Sequence, residues 1–316
     1  MSIMGISEMM DRSMLIFKKR FGQFTLFSLL YGIIIFILNN FLSVPLFFTM
    51  TLVPAEYAVF LALLITFILL VILCFSFSIG IINITMQDIN STKVSLGNII
   101  GNSIKDTPKA VAVIIINFLI FLPITAVYAF LLYAFYNFTN TLFFISLESR
   151  LSEIIFIVIL VALIILADII IVAYLGFTFF CVFLIVEEKS GIIASIKKSF
   201  WLIKNDIRRV FWSLFVFQIT VLSLYASLMS FLISATFIIM IIFVKLLETE
   251  YILLGMLVIP IYFLITIVST VIMFISFELA NIMSSLLCYN QKFRKEGYDI
   301  ILRLMEIEKR KRGINQ

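Results

Sequence analysis

The sequence predicts an all-α fold: a polytopic membrane helical bundle of six transmembrane helices, with amphipathic interfacial helices on its cytoplasmic face. Three observations predict it. Hydrophobic residues make up 63% of the 316-residue chain and charged residues 13%, more apolar surface than a water-soluble domain of this size can bury. The apolar residues gather into six runs, each long enough to cross a hydrocarbon core that needs about 20 helical residues. Polar stretches of helical amphipathicity separate those runs in pairs. Residues 1–316 are therefore read as a single integral membrane domain.

The chain opens on a surface helix, expected over 5–21. Ile6, Met10, Phe17 and Phe21 share one helical face with Met9 and Met14, and Glu8, Asp11, Arg12 and Lys19 oppose them. The positive charges follow this segment instead of preceding an apolar core, so it is not read as a signal peptide. Spans are expected at about 22–42 and 57–86, then at 109–136 and 153–186, with a second polar segment near residue 95 between the pairs. Several runs exceed about 30 residues, so those helices must tilt, break or project beyond the bilayer. Pro123 and Pro260 are the expected kinks.

The longest polar interruption is Glu187–Arg209, EEKSGIIASIKKSFWLIKNDIRR. It predicts a surface helix over 191–206. Ile192, Ile193, Ile196, Phe200, Ile203 and Ile207 form its apolar face, and Lys197, Lys198, Lys204, Asn205 and Arg208 fall largely on the other. Spans follow at about 210–244 and 252–288. Ser223, Ser227, Ser230 and Ser234 place small residues on one face of the fifth, where close helix packing is expected. A cytoplasmic helix over 298–312 closes the chain, with Gly297 permitting the turn into it.

Orientation follows from charge. Of the 23 Lys and Arg residues, all but Arg150 and Lys245 fall on the side of the two termini. The positive-inside bias puts that side in the cytoplasm. The loops near 43–56, 137–152 and 245–251 are short. Two ungapped matches raise a threefold repeat of one surface helix and two spans. Gly5–Ser13 matches Gly191–Ser199. Residues 80–103 match 176–199 at Gly80/Gly176, Ile89/Ile185, Lys93/Lys189, Ile100/Ile196 and Ser103/Ser199.

Several chemistries have no signature here. The chain has no histidine, which removes the commonest general base and metal ligand. Cys74, Cys181 and Cys288 are scattered, with no CxxC pair. Gly97 and Gly101 are isolated and no GK[ST] follows a glycine loop. No metal, cofactor or catalytic residue is expected, and the chain is read as not an enzyme. The net charge of +5 sits beside apolar runs, so it points to anionic lipid head groups and away from nucleic acid.

What remains is a candidate intramembrane polar site. Asp168 in ILADIIIV and Glu278 in ISFELANIM lie inside spans, with Asn281, Asn117, Gln218 and Asn83 as polar companions. An ionised carboxylate in lipid costs about 2.5–3.5 kcal/mol on insertion scales, so such acids face a bundle interior or a wet cavity and rest neutral. They suit a proton-coupled or cation-linked site, or a neutral acid hydrogen-bonded between helices. The cytoplasmic contacts with lipid or a partner protein are expected at Lys197, Lys198, Arg294, Lys295 and Arg310.

Two termini and the middle carry a family resemblance. MGISEMMDRSMLIFKKRFGQF at the start, EEKSGIIASIKKSFWLIK in the centre and YNQKFRKEGYD from Tyr289 to Asp299 resemble the glycerophosphoryl diester phosphodiesterase membrane-domain family. Arg294, Lys295, Glu296, Gly297 and Asp299 match that family's closing pattern. Asn290 departs from its first Asp, and Lys292 replaces an Arg. The resemblance implies a multi-spanning membrane protein. It does not imply phosphodiesterase activity, because the chain has neither room for the soluble catalytic domain nor histidines. Two functions fit: a transport or export component in the cell membrane, or a membrane-organising or protective scaffold acting through the surface helices. The Ile-, Phe-, Lys- and Asn-rich usage suggests a bacterial source.

Overall fold

The computed structural model describes residues 4–52, 55–90, 95–144, 150–246 and 251–297. The described residues form eight α-helices and no strand: α1 (Ile6–Lys19), α2 (Phe21–Leu52), α3 (Ala55–Ile89), α4 (Leu96–Phe144), α5 (Arg150–Glu188), α6 (Ile192–Lys204), α7 (Ile207–Leu246) and α8 (Tyr251–Glu296). Five stretches are long and apolar enough to cross a membrane: Leu64–Ile89, Leu96–Phe138, Ile154–Glu188, Ile207–Ile239 and Ile265–Glu296. Phe21–Ile35 is apolar but shorter over the residues whose side chains are described. The helical membrane class is thus that of the sequence expectation. The expected helix over 298–312, with Arg310, and Pro260's surroundings lie outside the described residues.

The chain divides into two compact units. The first comprises Met1–Ser103 and Phe215–Gln316, the second Ile104–Leu214. In the first, α2 packs on α3, α3 on α8, and α1 on α8. Aromatic rings fill its interior. Phe77 lies 5.4 Å from Phe27, 5.4 Å from Phe274 and 5.7 Å from Phe277, centroid to centroid. Gly80 makes this stack fit, because a Cβ there would overlap the Phe27 ring. The N-terminus is tied down by Asn290: the Met4 N–H donates to its Oδ1 at 3.0 Å, and its Nδ2 donates to the Met4 carbonyl at 2.9 Å. At the other end of α1, Asp88 Oδ1 takes Lys19 Nζ at 2.6 Å and Arg20 Nε at 3.4 Å.

In the second unit α6 packs on α5. Val113, Cys181 and Ile185 form a buried cluster, covered by Phe177, Ile192 and Ile196. Lys198 Nζ pairs with Glu188 Oε1 at 2.7 Å, so this predicted lipid contact holds α6 to the end of α5. Lys189 follows α5 with φ 54°, a left-handed conformation that is uncommon outside glycine. Its ammonium pairs with Asp106 at 2.9 Å.

Three amphipathic segments bury residues at one spacing. They are Met9, Ser13 and Ile16 in α1, Ile99, Ser103 and Asp106 at the start of α4, and Ser195, Ser199 and Leu202 in α6. Each begins alike: the carbonyls of Gly5, Ser95 and Gly191 accept the N–H four residues on, at 3.0, 3.1 and 2.9 Å. Positions i, i+4 and i+7 share a helix face. A central serine lets a helix approach closely. Ser13, Ser103 and Ser195 each return their hydroxyl to a backbone carbonyl of their own helix.

This changes three expectations. The protein-facing side of α6 is the serine side, and Ile193 and Phe200 of the expected apolar face are 67% and 58% exposed. The expected apolar face is therefore divided: Ile192 and Ile196 cover the buried cluster, while Ile193 and Phe200 stay exposed. The segment near residue 95 is not a separate helix. It runs unbroken into the apolar stretch of α4: Gly97, Asn98, Gly101 and Asn102 lie inside the helix without ending it, and Pro108 merely removes one N–H from its ladder. Ser223, Ser227, Ser230 and Ser234 are exposed on α7, so that stripe is not packed against described residues. Gly297, as expected, ends α8 with φ 60°.

Candidate intramembrane polar site

Glu278 is 2% exposed on α8. Ser28 of α2 donates its hydroxyl to Glu278 Oε1. Among the described residues no ion pair reaches this carboxyl, and its hydrogen-bond partner Ser28 is neutral. Ionising such a group without a counter-charge costs several kcal/mol. One helical turn from Ser28, the Tyr31 hydroxyl meets Ser76 of α3 at 2.5 Å. The first unit therefore carries hydroxyl and carboxyl groups from three helices in an otherwise aromatic core.

Helical spacing extends this polar content toward the chain ends of α3 and α8. On α8, Glu278, Asn281 and Ser285 share a face and are all buried. Asn281 Nδ2 donates to the Phe277 carbonyl at 2.8 Å, and Ser285 Oγ to the Asn281 carbonyl at 2.7 Å. Asn281 thus turns its donor onto its own helix. On α3, Ser76, Asn83 and Gln87 share the face that also carries Gly80. Asn83 Nδ2, Gln87 Oε1, Ser276 Oγ and Gln291 Oε1 are buried with no hydrogen-bond partner among the described residues. Unmet capacity of this kind in an interior calls for a water or ion.

The other predicted residues fall elsewhere. Asp168 is half-buried on α5, in the second unit. Asn117 is also there, fully buried, donating to Thr178 Oγ1 at 3.2 Å and Cys181 Sγ at 3.8 Å. Gln218 is exposed on α7. Lys197 and Arg294 are exposed and Lys295 is half-buried. Among the described residues no group of His, Cys, Asp and Glu could hold a metal ion. Sequence reasoning missed Ser28, Tyr31 and Ser76, whose hydroxyls carry no charge to set them apart in apolar runs. It also missed the Asp106–Lys189 pair, although an acid two residues before a proline and a lysine after a long span were both in view.

Fold and site together define a multi-pass helical membrane protein with a carboxyl group buried among its helices. No family model, no curated protein and no solved structure matches this chain.

Proposed function

We propose that the protein is a transport or export component of the cell membrane, with Glu278 as the proton- or cation-responsive group of its pathway and no catalytic step of its own. The observation that carries this reading is the burial of Glu278 against a serine hydroxyl, with no ion pair to it among the described residues. Keeping an acid there costs stability that a leucine would not. Polar atoms on α3 and α8 that lack a partner among the described residues leave hydrogen-bonding capacity for water along the same helices.

The reading includes six spans, because α2 runs 32 residues to Leu52 and is long enough to be the sixth. It puts both termini in the cytoplasm, from the charge bias. The common register of the three amphipathic segments supports a threefold repeat of surface helix and two spans. Membership of the glycerophosphoryl diester phosphodiesterase membrane-domain family belongs to the same proposal and rests on the three motif segments.

Labelling with an apolar carbodiimide tests it, because that reagent attacks protonated carboxyl groups that water or a pathway makes reachable. The purified protein is treated across a pH series and read by mass spectrometry. We expect modification at Glu278 that fades as pH rises and slows when a transported cation is added, and none in Glu278→Gln. Complete protection of Glu278 at every pH would make it a buried strut and remove the pathway.

A further inference from the structure

The turn between α6 and α7 holds a second feature, independent of Glu278. The helices meet at Asn205–Asp206, where Asn205 caps α6 and the Asp206 N–H bonds back to the Ile203 carbonyl at 2.9 Å. Around this turn lies a groove of about 680 Å³ lined by Asn205, Asp206, Ile207, Arg208, Arg209 and Trp212, among others. We propose that it is a binding site for the head group of an anionic phospholipid.

Charge is the first argument. Lys204, Arg208 and Arg209 are exposed, and none has an ion pair or hydrogen bond to a described residue. Two neighbouring basic residues differ. Lys198 and Lys189 are spent on Glu188 and Asp106. Asp206 is the only carboxylate among the lining residues, so the groove keeps a net positive charge. Guanidinium forks match phosphate oxygens in pairs.

Aromatic placement is the second. The chain contains only two tryptophans. Trp201 lies one helical turn before Asn205 and Trp212 lines the groove, and they are 50% and 59% exposed. Tryptophan settles at head-group depth, its ring against the acyl boundary and its N–H toward water. Ile193, Phe200 and Ile207 are exposed on the same two helices, which gives the acyl chains an apolar surface to follow. Free phosphate would use the cations and leave these side chains in water. A phospholipid uses both.

The two tryptophans make the test specific, because the intrinsic fluorescence reports on this region alone. The full chain is reconstituted in phosphatidylcholine vesicles containing a small fraction of acyl-brominated lipid, either phosphatidylglycerol or phosphatidylcholine. Bromine quenches tryptophan only at close range. We expect brominated phosphatidylglycerol to quench at least several-fold more per molecule, since each interfacial cation attracts anionic lipid, and we expect high salt to erase the excess. Lys204→Gln/Arg208→Gln/Arg209→Gln should quench equally with both lipids. Lys105→Gln/Lys109→Gln, exposed or half-buried lysines on α4, should keep the excess. Equal quenching by both lipids in the unaltered protein would overturn the proposal. So would an excess that survives the triple variant.

Discussion

The two compact units use the same docking device around different interiors. In the first, α1 lies on the buried end of α8. In the second, α6 lies on the buried end of α5. Both short helices start at a glycine with extended backbone, at φ −74° and ψ 169° or 163°, and both bury a serine at their centre. The interiors diverge. The second unit fills the contact with Val113, Cys181 and Ile185 and meets its buried amide, Asn117, with a hydroxyl and a thiol. The first stacks aromatic rings and keeps a carboxyl and several unpartnered polar atoms. The difference teaches that docking and chemistry are separable: a scaffold that holds a surface helix does not require Glu278, so the acid's presence asks for another reason.

The comparison breaks most sharply at the two matched glycines. A Cβ at Gly80 would strike the Phe27 ring, which is 1% exposed and stacked on Phe77. A Cβ at Gly176 would meet only the tip of Leu214, a flexible side chain. Gly80→Ala should destabilise the protein by about 3 kcal/mol and Gly176→Ala by about 1 kcal/mol or less, since overpacking costs what the neighbour cannot yield. Thermal unfolding in detergent, followed by circular dichroism, checks both. Equal losses would mean the two units pack their glycines alike.

The charged locks at the helix ends differ next. Asp106 is 4% exposed and Lys189 is its partner, whereas Asp88, 11% exposed, has both Lys19 and Arg20. Lys189→Ala should cost about 2 kcal/mol, because it strands a buried carboxylate. Lys19→Ala should cost under about 1 kcal/mol, because Arg20 remains and Lys19 is two-thirds exposed. The same melting assay reads them. A larger loss from Lys19→Ala would place the firmer lock in the first unit.

The sequence made the helical membrane class and the two short amphipathic helices α1 and α6 legible, because hydropathy and charge act over whole segments. It misled where one residue's size decides the contact. Of the Ile and Phe face of α6, only Ile192 and Ile196 pack inward, and Ser195 and Ser199 are buried where Ile193 and Phe200 are not, because in lipid apolarity alone does not drive helices together. The stop expected before residue 109 failed for a related reason: periodicity marks a change of environment along α4, and one helix can pass through both. Ser28 and Tyr31 were unreadable as site residues because α2 is apolar all round, and only the tertiary contact shows which hydroxyl meets the acid.

The smallest expected effect concerns how firmly α1 is held. Asn290 is 5% exposed and spends both ends of its amide on the backbone of Met4. No equivalent amide clasp is seen at α6 among the described residues, where Lys198 and Glu188 hold the helix instead. Asn290→Leu keeps the branching at Cγ and removes both bonds. It should cost about 1 kcal/mol, partly offset by the apolar side chain. The loss should be local, since α1 would still bury Met9, Ser13 and Ile16. Hydrogen exchange should quicken in residues 4–10 and leave α6 unchanged. Lys198→Gln should do the reverse, quickening α6 and sparing α1. If either variant loosened both helices, the two docking contacts would form one cooperative unit, and the separation between docking and chemistry would have to be redrawn around that unit.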